Sequence, residues 1–227
     1  MGGRIVLAVT CAVAFGALAA MVAHGSPVHG LDTYAVRQLM PGLDPASRAP
    51  SAARSLIPLR HVAVGGRDTI RLVTNIWTLP ASAGVSALLF ALGFVLLRRR
   101  GEATAALVWA AVWVAGNVIE VRFKSVIERP ALFALDHGAR VHVAGFDHSY
   151  PSGHTIRSLL FAGLLTALWP RYGRYAFAWT AVALPLLLAA GFHTPSDIAG
   201  GALLAGLLLV LARERQVRAT RPRSSCL

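Results

Sequence analysis

The chain has 227 residues, of which 56% are hydrophobic and 14% charged, a balance too apolar for an ordinary soluble domain, a disordered chain or a collagenous one. Its net charge of +12 comes from 22 Lys and Arg against 10 Asp and Glu. These cations lie between apolar runs and at the C-terminus, with no single basic face or aromatic platform, so nucleic acid is a poor candidate partner. The two cysteines, Cys11 and Cys226, supply neither a disulfide framework nor a CxxC metal pattern, and Cys226 is not in a prenylation position.

Six apolar segments follow one another, at about 5–23, 76–97, 103–121, 155–169, 175–192 and 197–212. Several approach the roughly 20 residues that span a bilayer. They predict a single all-α membrane domain, a polytopic bundle of about six transmembrane helices. The first segment is longer than the roughly 7–15 residue core of a cleavable signal and reads as a retained anchor. After it, residues 24–75 are rich in Pro, Gly and Ser, as in Pro41-Gly42-Leu43-Asp44-Pro45, and predict loops with short interfacial helices. The expected organisation is an anchor helix and long extracytoplasmic loop over 1–74, a catalytic bundle over 75–212 and a basic cytoplasmic tail over 213–227.

Positive residues set the expected orientation, because Lys and Arg in short loops remain preferentially in the cytoplasm. With the N-terminus inside, the cytoplasmic side receives Arg4, Arg98 to Arg100, Arg171, Arg174 and the arginines of the tail. The chemically suggestive residues then gather on the extracytoplasmic side.

Three groups stand out there. Arg122-Phe123-Lys124 and Arg129-Pro130 lie where the third segment ends; fixed cations suit phosphate oxygens, although cations also snorkel at helix ends. Tyr150-Pro151-Ser152-Gly153-His154 precedes the fourth segment. Ser152 can cap that helix, exposed amides at Gly153 favour an anion, and His154 can transfer a proton to it. His193-Thr194-Pro195-Ser196-Asp197 opens the sixth. Asp197 can hold one imidazole nitrogen of His193 and leave the other nucleophilic, while Thr194, Pro195 and Asp197 also fit a structural capping box.

In combination these groups resemble the type 2 phosphatidic acid phosphatase superfamily, whose pattern joins a Lys and Arg-Pro element, a Pro-Ser-Gly-His element and a His-x-x-x-Asp element. The resemblance spans roughly residues 75–212. It implies a membrane enzyme that hydrolyses lipid phosphate or pyrophosphate through a phosphohistidine, with no metal or other cofactor. Carried over by position, His193 is the nucleophile, Asp197 its orienting partner and His154 the general acid, while Lys124, Arg129, Ser152 and the Gly153 backbone hold phosphate. Two departures accompany it. Lys124 and Arg129 are separated by four residues where the family has six, a spacing that Arg122 would satisfy, and Leu186-Leu187 stand where the family has Ser-Arg. Arg157, one helical turn after His154, is the expected replacement for that missing arginine.

Three other functions compete. Asp136, His137, His142, Asp147 and His148 could form a metal site in the loop, although their spacing matches no close histidine pair. The missing Ser-Arg admits a non-catalytic lipid-phosphate binder or transporter. Finally, an alcohol in place of water would make the same intermediate a head-group transferase.

Overall fold

A computed structural model of the protein describes residues 2–24, 28–39, 66–127 and 149–220. Among these residues every regular element is helical: α1 (Gly2–Ala23), α2 (Val28–Leu39), α3 (Gly66–Trp77), α4 (Ala83–Arg99), α5 (Ala103–Val126), α6 (Gly153–Leu168), α7 (Gly173–Ala189) and α8 (Pro195–Thr220). The six expected apolar segments correspond to α1 and α4–α8, and α2 and α3 fall in the long N-terminal segment. By length and composition, α1, α5 and the stretch Pro195–Glu214 of α8 can each cross a membrane, and α6 is a shorter apolar helix.

The second segment was expected to start near residue 76, but its helix starts at Ala83. Pro80 lacks the N–H that a continuing helix needs, so the chain makes one 3-10 turn at Leu79–Ala81. Ser82 is then extended and α4 begins afresh.

Helix α6 is the centre of the bundle, packed against α4, α5, α7 and α8. Ile156, Leu160 and Leu164 on α6 are fully or almost fully buried, alongside Trp109 of α5 and Leu204 of α8. Helix α1 lies along α8 and adds Phe15 and Ala19 to the core, so α1 is part of the bundle. Phe15 also stacks on Tyr150 at 6.2 Å between ring centroids. Helix α3 is fixed to α7 by a reciprocal pair of indole hydrogen bonds, Trp77 Nε1–H to the Trp179 carbonyl at 3.3 Å and Trp179 Nε1–H to the Trp77 carbonyl at 3.2 Å. The outer faces carry exposed Val13, Leu88, Leu107 and Val182. Such faces are costly in water and suited to lipid.

The bundle has two chemically distinct ends. At the C-terminal end of α6, Arg100 donates to the Leu168 carbonyl at 2.6 Å and lies 5.5 Å from the Trp169 ring, near the exposed Arg171 and Arg174. The His154 end of α6 lies a helix length away, roughly 24 Å at 1.5 Å per residue.

Candidate active site

The two histidines owe their positions to helix termini. Helix α7 closes at Gly191, whose φ of +71° admits the left-handed turn. The Phe192 N–H returns to the Leu187 carbonyl at 3.1 Å and the Gly191 N–H to the Leu188 carbonyl at 3.0 Å, a Schellman ending that delivers the chain to His193. Helix α8 opens with a complete capping box. Thr194 Oγ1 accepts from the Asp197 N–H at 3.3 Å, and Asp197 Oδ2 accepts from the Thr194 N–H at 2.8 Å.

The same carboxylate faces the histidine. Asp197 Oδ2 lies 3.8 Å from His193 Nδ1, longer than a hydrogen bond, and Nδ1 is buried with no hydrogen-bond partner among the described residues. Catalytic contacts of this kind commonly tighten when substrate binds. The carboxylate is fully buried and also accepts from Ser149 Oγ at 3.2 Å. The capping and orienting readings of Asp197 are therefore compatible.

At the start of α6, Ser152 is the N-cap, its Oγ accepting from the Thr155 N–H at 3.3 Å and from Thr155 Oγ1 at 3.0 Å. The Ser152 N–H donates to the Asp197 carbonyl at 3.0 Å, which ties the two histidine-bearing elements together by backbone. Gly201 on α8 approaches this junction so closely that a Cβ there would stand 2.7 Å from the Ser152 carbonyl oxygen. The His154 and His193 rings consequently face one another at 6.0 Å between centroids, tilted by 56°.

The cations come from α5 and α6. Lys124 and Arg157 are both buried, and Glu120, which the sequence reading did not single out, joins them. Glu120 Oε1 accepts from Lys124 Nζ at 2.8 Å and Oε2 from Arg157 Nη1 at 2.6 Å. The carboxylate sits against Gly153, in the space where any side chain at that position would overlap it. Arg122, the other candidate for the first element, is exposed. Two residues along a helix is about 200° of rotation, so only one of the pair can face the bundle, and Lys124 does. Leu187 is a fully buried core residue, so no cation stands there. Arg129 lies outside the described residues, as do Asp136, His137, His142, Asp147 and His148.

Asp32 on α2 was also missed. It is buried and accepts from the Ser196 N–H at 3.0 Å and from Ser196 Oγ at 2.6 Å, 164 residues away in sequence. It thereby braces the start of α8 from the N-terminal region. Asp32→Ala leaves two buried donors to find new partners, which costs about 1–3 kcal/mol. The expected result is a lower thermal midpoint in detergent together with about a tenfold fall in turnover; wild-type melting and turnover would show that α2 does not support the site.

A family model described as the PAP2 superfamily matches residues 105–221, just over half the chain. The chain belongs to the PAP2 superfamily. The matched stretch contains α6, α7 and both histidine elements. Family membership supports a phosphoric ester hydrolase acting on lipid phosphate, and the apolar helices make this PAP2 protein a membrane protein. In fold it is similar to the crystal structure of the transmembrane PAP2-type phosphatidylglycerolphosphate phosphatase from Bacillus subtilis, with a TM-score of 0.64 over 95% of this chain and 98% of that one, at 19% identity. A search of curated proteins found no match.

Proposed function

We propose that this PAP2 protein hydrolyses a lipid phosphomonoester or pyrophosphate through a phosphohistidine on His193, without a metal, at a site facing the extracytoplasmic interface of the cell membrane. One observation carries the reading: two imidazoles 6.0 Å apart at joined helix starts, beside the buried cations Lys124 and Arg157. Asp197 faces Nδ1 of His193, so Nε2 is the nitrogen free to attack. In the first step the Nε2–P bond forms, the P–O bond to the lipid breaks, and His154 gives its proton to the departing oxygen. In the second, His154 takes a proton from water, the resulting hydroxide attacks phosphorus, and the N–P bond breaks to release inorganic phosphate. Lys124, Arg157, Ser152 and the amide of Gly153 stabilise the charge on the equatorial oxygens; Arg129 is assigned to the same group by its place in the motif.

Phosphatidylglycerophosphate, phosphatidic acid and a polyprenyl pyrophosphate share this chemistry, and the first is the one named for the structural neighbour. Purified protein assayed against these three lipids with and without EDTA tests the proposal. Phosphate release that survives chelation is expected. Chelator-sensitive release would overturn the metal-independent mechanism, and lipid binding without turnover would favour the non-catalytic binder.

The orientation has its own test. Arg100, Arg171 and Arg174 gather at the end of the bundle opposite His154, which supports a cytoplasmic location for that end. With Cys11 and Cys226 replaced, a cysteine at exposed Ser125 should react with an impermeant maleimide in intact cells, and one at exposed Tyr172 only after lysis. The reverse pattern would invert the topology.

A further inference from the structure

We propose that Glu120 is a positioning residue: its carboxylate, seated in the side-chain space that Gly153 leaves empty, holds Lys124 and Arg157 ready for the substrate's phosphate. The inference rests on the lipid-phosphatase reading above and adds a residue that none of the three motif elements contains. Its first support is how the carboxylate is shared. Each oxygen takes one cation, Oε1 the ammonium of Lys124 at 2.8 Å and Oε2 the Nη1 of Arg157 at 2.6 Å, so one residue fixes cations from two helices relative to each other.

The second support is what remains of the guanidinium. Arg157 Nε donates to the Ala81 carbonyl at 2.6 Å and Nη1 also donates to Asn117 Oδ1 at 2.9 Å. Three acceptors thus hold Nε and Nη1 in place, and among the described residues Nη2 is the guanidinium nitrogen that keeps both its protons to give. Lys124 has spent one of its three donors. Both cations therefore keep donors for a ligand after they have been immobilised.

The third support is electrostatic. Two buried cations facing each other without a counter-charge would repel, and each would turn toward whatever water it could reach. A fixed carboxylate between them removes that reorganisation before substrate arrives, while two positive charges against one negative still leave attraction for phosphate. Donors held in place in a water-poor site are the arrangement that stabilises a transition state without reorganisation cost. Both oxygens of Glu120 are occupied by cations, so it acts through Lys124 and Arg157 and not as a proton carrier.

The test is a double-mutant cycle in kcat/KM on the full-length purified protein, with phosphatidylglycerophosphate, phosphatidic acid and a polyprenyl pyrophosphate in mixed micelles. Glu120→Gln is expected to lower kcat/KM by about 10²-fold, as loss of one aimed donor does. In an Arg157→Lys background the same change should cost clearly less, because the planar fork is already gone and Lys124 is the cation left for the carboxylate to position. An equal factor in both backgrounds, or near-wild-type activity of Glu120→Gln, would overturn the positioning role. If Glu120→Gln does not yield folded protein, Glu120→Asp is read instead. It keeps the charge and shortens the reach by one methylene, and the same outcomes decide. Wild-type and His193→Ala controls in the same assay separate the two claims: an inactive wild type or an active His193→Ala refutes the phosphatase mechanism, whereas failure confined to the Glu120 variants refutes only this inference.

Discussion

Replacing His193 by alanine should lower kcat by at least about 10⁴-fold in protein that still folds, because on the proposed mechanism the covalent step loses its nucleophile. His193 is buried at the junction of α7 and α8, and its Nδ1 lies 3.8 Å from a carboxylate that the capping box already fixes. Removing the ring leaves that capping box, the Schellman ending of α7 and the Ser152–Asp197 backbone bond in place. Stability should change little compared with rate. Asp197→Asn is the informative companion: it should slow turnover less than His193→Ala and lower stability more, since the carboxylate serves the helix start as well as the imidazole. Rapid-quench labelling with a ³²P-labelled lipid should trap an acid-labile, base-stable phosphoprotein in the wild type and none in His193→Ala. Full activity in a folded His193→Ala protein, or no labelled protein during a demonstrable burst, would remove His193 from the covalent role.

The parts of the site that could be read from the sequence are those decided locally. His154 and His193 stand immediately beside helix starts, and N-caps, Pro at N1 and a Gly at a C-terminus leave marks within a few residues. The six apolar segments were legible for a similar reason, since bilayer thickness fixes their length. Glu120, Asn117 and Asp32 were not legible, because their meaning depends on which helices face one another. Asp32 meets Ser196 from 164 residues away, and Arg157 meets the Ala81 carbonyl from 76 away. Glu120 looked like one more charge near a helix end until the packing of α5 against α6 gave it Gly153 as a neighbour. In the sequence Gly153 offers its backbone amide to a phosphate. In the structure the flank its missing side chain leaves open is filled by the carboxylate of Glu120.

Arg157 is the second residue with a large expected effect, and its burial changes what should be measured. In the sequence it is a cation one turn after His154, the expected replacement for the arginine missing at position 187. In the structure it is 7% exposed and makes three hydrogen bonds, to Ala81, Asn117 and Glu120. Arg157→Ala therefore leaves Glu120 with one cation, Lys124, and strands the Asn117 and Ala81 acceptors; removing one member of a buried ion pair costs about 3–5 kcal/mol. A lost rate in that variant would mix catalysis with stability. Arg157→Lys separates them, because it keeps the charge beside Glu120 but cannot span all three acceptors and still offer a donor to phosphate. The expected result is a thermal midpoint closer to wild type than that of Arg157→Ala, with kcat lowered by about 10²-fold. Restoring an arginine at the family's position, Leu187→Arg, would not compensate. Leu187 is fully buried and its carbonyl accepts the Phe192 N–H that ends α7, so a larger charged side chain there would disturb the turn that carries His193. If Arg157→Lys turns over at the wild-type rate, the planar fork of Arg157 does not contact the transferred phosphate, and Lys124 becomes the described cation on which phosphate recognition rests.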